Sequence, residues 1–281
     1  MSAISKVRPS PIAGLWYQSD PVQLVMQIEN FITSAPIPKI EGRVIGLIAP
    51  HAGYRYSGRT AGYAYRAVCD QTYDLVAVIA PMHAYYPSPV LTSAHAFYLT
   101  PLGEVPVDRE AVESLTEHLR AENINLTAIA HDDEHSLEIQ LPFLQRALKG
   151  DFQILPLMVR RKDPKFVELL GKLLAKVLAG RSALLVASTD LSHFYNLPNA
   201  KILDQHMLGQ IEAFSADGIL EAEENEMGFA CGAGAIATVF HAARSLGAHQ
   251  VRVLDYSTSA DETGDTTSVV GYGAAVILGS D

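Results

Sequence analysis

Apolar residues recur along this chain in short unbroken runs separated by amphipathic stretches. That alternation predicts strands buried on both faces of a sheet and the helices that cover them. Residues 44–50, 75–81, 152–159 and 183–188 read as buried strands, and 251–256 and 269–278 complete the sheet. A helix is predicted over 21–33, with Asp20 as N-cap and Pro21 at the first helical position. Others are predicted over 57–68, capped by Ser57, from the Asp108 cap to about Glu122, and over 164–178. Residues 136–148 carry an amphipathic helical pattern interrupted at Pro142. Residues 90–107 read as β-hairpin material bent at Thr100-Pro101-Leu102-Gly103, and two helices precede Cys231. Strand, helix and strand follow one another over 44–81, within about forty residues, the spacing of a parallel βαβ unit. With no linker in sight, the expectation is a single α/β/α domain over residues 1–281, with a largely parallel central sheet.

Three of the apolar runs stop at a metal-ligating or acidic residue: Ala49-Pro50-His51, Ala80-Pro81-Met82-His83 and Ala187-Ser188-Thr189-Asp190. Open α/β sheets bind ligands outside the carboxyl ends of their strands, so one crevice is predicted to gather them. Cys231 stands directly before Gly232-Ala233-Gly234-Ala235, where a helix begins. The positive end of a helix dipole there favours a thiolate. The strands ending in His51 and His83 are expected to be adjacent and parallel, which puts their imidazoles within reach of one ion. The third ligand is Asp190 or Cys231. A carboxylate favours iron or manganese, whereas a thiolate favours copper(I), zinc or iron.

Around that core, Asp190 suits a supporting role in orienting a histidine, and His193 suits proton transfer. His135 lines the pocket from a loop, while the acids Asp132, Asp133 and Glu134 before it satisfy a helix start. Ser192 is not in a G-x-S-x-G turn, which disfavours a hydrolytic triad. Cys69, at a helix end, reads as packing.

Composition narrows the partners. Formal net charge is −10 and no Lys/Arg-rich segment is present, which argues against nucleic acid and against anionic membrane. Two cysteines far apart give no disulfide framework, and no stretch reads as a signal peptide or membrane span, so a cytoplasmic protein is expected. Oligomeric state is not encoded in these patterns.

The ordered stretches VIGLIAPHAGYRYSG (44–58), DEHSLEIQLPFL (133–144), STDLSHF (188–194), Ala230-Cys231-Gly232 and DYSTSADETGDTTSVVGY (255–272) resemble the Memo family, known in prokaryotes as AmmeMemoRadiSam system protein B. The amino-terminal RPSPIAGLWY (8–17) is similar to that family's opening. The resemblance implies a fold like that of class III extradiol dioxygenases, metal ligands at His51, His83 and Cys231, and His193 in the pocket. It also implies a metal-binding protein of iron(II) or copper(I) with a redox or oxygen-dependent role; the thiolate leaves zinc as a further candidate, and the ligand is expected to be a small molecule or a peptide. Competing readings are an iron(II)-dependent ring-cleavage dioxygenase, a non-enzymatic binding or scaffold protein, and a thiol nucleophile at Cys231 activated by His193. The chain departs from the family pattern at Ala80-Pro81-Met82-His83 and at Gly232-Ala233, where an arginine is usual. Loss of that arginine removes a fixed anion-binding fork, which Arg55 or Arg59 is placed to replace.

Overall fold

The computed structural model describes residues 5–280; the ends of the expected 1–281 domain, residues 1–4 and 281, lie outside the described residues. The main sheet is built around four parallel strands: β2 (Arg43–Ala49), β3 (Leu75–Pro81), β8 (Gln153–Val159) and β9 (Ala183–Ser188). A small separate sheet joins β1 (Val7–Arg8) to the hairpin β5 (Phe97–Thr100) and β6 (Gly103–Pro106). The remaining strands are β4 (Val90–Ser93), β7 (Leu126–Ile129), β10 (His193–Tyr195), β11 (Ala248–Thr258) and β12 (Val269–Gly279). Among the described residues the order is β10-β12-β2-β9-β3-β8-β4-β7, with β11 on the other edge of β12.

Helices cover both faces. On one lie α1 (Pro21–Thr33), α2 (Tyr54–Arg66) and α4 (Leu141–Ala147). On the other lie α3 (Arg109–Ala121), α5 (Pro164–Leu178), α6 (Leu197–Glu212), α7 (Ala216–Glu224) and α8 (Ala233–Ser245). A one-turn α9 (Ala260–Thr263) leads toward β12. The period of two is plain in β3: Leu75, Ala77 and Ile79 enter one core, Val76, Val78 and Ala80 the other. Asp20, Asp108 and Asp163 each accept a first-turn backbone N–H, at 2.9, 2.9 and 3.1 Å, so their helices start where the sequence indicates. The α/β/α architecture is as expected. No helix among the described residues is long and apolar enough to cross a membrane.

Four expectations need correction. The strands ending at His51 and His83 are not neighbours, because β9 pairs with both β2 and β3 and lies between them. The second helix begins at Tyr54, with Gly53 at its N-cap. Ser57 is buried within its first turn, and its Oγ donates to the Ala52 carbonyl at 2.9 Å. Pro142 does not interrupt a helix. A single 3-10 turn over Glu138–Gln140 precedes α4, and Pro142 occupies the first turn of α4, where no N–H is required. The 90–107 segment divides, with β4 joining the main sheet and only β5 and β6 forming the hairpin.

Candidate metal centre

His51, His83, Asp190 and Cys231 converge at the carboxyl ends of the parallel strands. β2 delivers His51 and β3 delivers His83. Between them the end of β9 delivers Asp190, and the turn into α8 brings Cys231 against it. That turn needs a glycine: a methyl at Gly232 would run into the Ser188 carbonyl oxygen and the Thr189 side chain. One ligand atom each from His51, His83 and Cys231 lies within 4.8 Å of the other two. Cys231 Sγ is 3.1 Å from His51 Nε2.

The hydrogen bonds behind the imidazoles determine which nitrogen faces the thiol. Ser188 Oγ donates its own proton to the Ser136 carbonyl at 2.5 Å, so toward His51 Nδ1, 3.1 Å away, it accepts. His51 therefore carries its proton on Nδ1 and presents a bare Nε2. His83 Nδ1 lies 2.9 Å from the Glu134 carboxylate, which only accepts, so His83 likewise keeps Nε2 free. Metal-binding histidines are typically oriented this way by a second partner. Burial lowers the His51 pKa to about 3, with His83 adding to the effect, so its ring is neutral at physiological pH. The Glu134 hydrogen bond raises His83 above its ordinary value.

Asp190 is buried, and its Oδ1 accepts the backbone N–H groups of His51 (2.7 Å) and Ala52 (3.3 Å). It fixes the His51 backbone and lies outside the ligand-distance group. Burial pushes its carboxyl up to about 6. The Asp190 backbone N–H in turn donates to Cys231 Sγ at 3.2 Å. Burial, reinforced by the Asp190 charge, pushes the Cys231 thiol well up. This runs against the expectation drawn from the helix dipole: Cys231 stands one residue outside the N-cap, and burial with the nearby Asp190 charge raises the thiol.

His135 stacks on His83, with ring centroids 4.9 Å apart and planes 11° apart, and burial lowers its pKa to about 4. The indole of Trp16 packs tilted against the His135 ring, with centroids 4.1 Å and planes 33° apart. His193 is outside the ligand-distance group; its Nδ1 donates to the Leu191 carbonyl at 2.8 Å. Sequence reasoning missed Trp16 and Glu134. Glu134 is 6% exposed and accepts from His83 N (2.6 Å), His83 Nδ1, His135 N (3.0 Å) and Ser136 N (3.0 Å). It is not part of an acidic helix start. The one available signal was an acid directly preceding a pocket histidine. His83, Glu134 and His135 also lie within ligand distance of one another, yet Glu134 is already committed to four N–H groups.

The model of the family described as "Memo-like protein" matches residues 8–276. The chain belongs to the Memo family. A MEMO1 family protein of Nitrosopumilus maritimus is 34% identical over 272 residues, covering 95% of this chain and 98% of that protein. Memo-family relatives in Methanosarcina barkeri and Thermotoga neapolitana are 34% and 35% identical, covering 96% of this chain and 100% and 99% of theirs. An uncharacterized Escherichia coli K12 protein of known crystal structure has a similar fold, with TM-score 0.52 at 14% identity, covering 83% of this chain and all of that one. At that identity the likeness concerns the fold alone.

Proposed function

We propose that this Memo-family chain, as one domain, holds a single iron or copper ion through His51, His83 and Cys231, and serves a redox or oxygen-dependent role in the cytoplasm toward a small-molecule or peptide ligand. The observation that carries the reading is the donor set: two imidazoles, each with Nδ1 committed elsewhere and Nε2 bare, and one sulfur, all within 4.8 Å. Two nitrogens and a sulfur suit copper, iron or zinc and do not suit magnesium or calcium. A bound iron or copper ion would supply one-electron and oxygen chemistry. The protein's own residues orient and exclude. Asp190 fixes the His51 backbone, Ser188 and Glu134 fix the two imidazoles, and Trp16 and His135 wall off one side. His193, with Nδ1 tied to Leu191, offers Nε2 to accept or deliver a proton.

The raised thiol pKa disfavours a free nucleophile at Cys231 and suits a sulfur that releases its proton to solvent when a metal cation binds. The deciding experiment is metal content after anaerobic purification and identical iron(II) or copper(I) loading of wild type and Cys231→Ala. Near-stoichiometric metal in wild type that drops sharply in the variant is expected. Little metal in either protein would overturn the reading.

A further inference from the structure

Asp204 is an ionisable side chain that is fully buried and outside the constellation described above. It projects from α6 and is 0% exposed. Its Oδ1 accepts the Ser192 backbone N–H at 2.8 Å, and its Oδ2 accepts the Tyr256 hydroxyl at 2.8 Å. Leaving a buried carboxylate in a fold is costly unless it is fully partnered, so its position invites an account. Burial raises its carboxyl above the ordinary value, in keeping with a group held there by geometry and not by solvation.

The loop it grips leads into His193. Gly271 of β12 holds the same loop through its backbone: its carbonyl accepts the Leu191 N–H at 2.8 Å and its N–H donates to the Ser192 carbonyl at 2.9 Å. Only glycine fits, because a methyl at residue 271 would collide with the Asp204 carboxylate. With the Ser192 N–H tied to Asp204 and the Leu191 N–H tied to Gly271, the Leu191 carbonyl is aimed at His193 Nδ1. Because a carbonyl only accepts, that bond assigns the proton to Nδ1 and leaves Nε2 as the basic nitrogen.

The backbone beyond the bond is equally specific. Phe194 adopts φ 65°, a left-handed conformation rare for a bulky side chain, and the pairing of β10 with β12 shifts register between His193 and Tyr195. Irregularities of this kind re-aim a side chain and persist only where the surroundings hold them.

We propose that Asp204 is a positioning residue that sets the orientation and tautomer of His193 through the backbone of Leu191 and Ser192. The assignment stands on hydrogen bonds alone; its catalytic consequence rests on the reading of His193 as the proton-handling group.

The test is long-range 15N–1H NMR of the histidine rings in the full-length, zinc(II)-loaded protein, with the His193 signal identified by its loss in His193→Gln. Wild type is expected to show one tautomer, protonated at Nδ1. Asp204→Asn retains an oxygen for the Ser192 N–H and is expected to keep that signature. Asp204→Leu combined with Tyr256→Phe replaces the pair by apolar groups of similar shape, which limits the folding penalty. This double variant is expected to lose the single tautomer and show a mixture. A cooperatively melting double variant with the wild-type signature would overturn the proposal, and so would loss of the signature in Asp204→Asn. Zinc stoichiometry in the same samples reports separately on His51, His83 and Cys231, so failure of the metal reading is distinguished from failure of this one.

Discussion

Glu134 holds His83 twice, accepting its backbone N–H at 2.6 Å and its ring Nδ1–H at 2.9 Å. Backbone and imidazole are thereby fixed by one carboxylate that is itself almost wholly buried. Glu134→Gln keeps the shape but replaces one accepting oxygen with a donating amide. Metal affinity is expected to fall by about 10–100-fold, the usual loss when a ligating histidine loses its partner. Competition against a chelator of known affinity measures it; unchanged affinity would dissociate Glu134 from the metal.

Retention of metal should depend on pH in a direction fixed by His83. Because Glu134 raises its pKa, a proton competes with the metal at His83 beginning above the ordinary histidine value of 6.5. Occupancy is therefore expected to fall on acidification, starting above that value. The metal-free protein behaves differently. Glu134 sits below its ordinary 4.5 because the hydrogen bonds and charge of His83 outweigh the burial that opposes them. Its stabilising contribution is present above 4.5 and lost as pH falls through the depressed value. His83, raised, contributes fully below 6.5 and loses its contribution as pH rises through the raised value. The pair thus stabilises the metal-free fold most between 4.5 and 6.5, and urea midpoints across pH test this.

Arg8 ties the amino-terminal arm to the site. Its guanidinium, 3% exposed, meets Asp132 at 2.6 Å and Glu138 at 2.5 Å, and donates to the Glu134 carbonyl at 2.9 Å. Arg8→Ala leaves two buried carboxylates without their cation. A loss of about 3–5 kcal/mol is expected from chemical denaturation. A loss under 1 kcal/mol (about fivefold in the folding equilibrium) would show the acids to be satisfied without it.

Gly232 offers a test of the thiol's placement. Adding a methyl there forces apart the end of β9 and the turn that carries Cys231. Gly232→Ala is expected to cost about 1–3 kcal/mol, the usual range for overpacking, and to lower metal content. Normal metal content in this variant would mean that the turn gives way without moving the sulfur.

The strongest elements were legible because their signals are local. The buried runs of β2, β3, β8 and β9 and the Asp-capped helices α1, α3 and α5 need only neighbours in sequence to declare themselves. Strand order has no such local mark, and the place of β9 between β2 and β3 is decided by packing of the whole sheet. β7 and β10, four and three residues long, carry too little pattern to be read. The start of α2 depends on a bond from Tyr54 N to the Trp16 carbonyl at 2.8 Å, a partner far back in the chain. Glu134 escaped notice for the same reason: its burial is accounted for by His83, fifty-one residues away. The convergence of His51, His83, Asp190 and Cys231 was legible because strand ends and a helix start are places where side chains meet, whereas the choice of Cys231 over Asp190 as third ligand came from the family resemblance.

The contact of Trp16 with His135 also makes the protein optically self-reporting. The chain contains one tryptophan, and it lies 4.1 Å from an imidazole that itself stacks on His83. All indole emission therefore originates at the wall of the pocket, with no second fluorophore of its kind to dilute it. A titration with metal or with a pocket ligand can be followed in the unlabelled wild-type chain, at concentrations far below those that calorimetry requires.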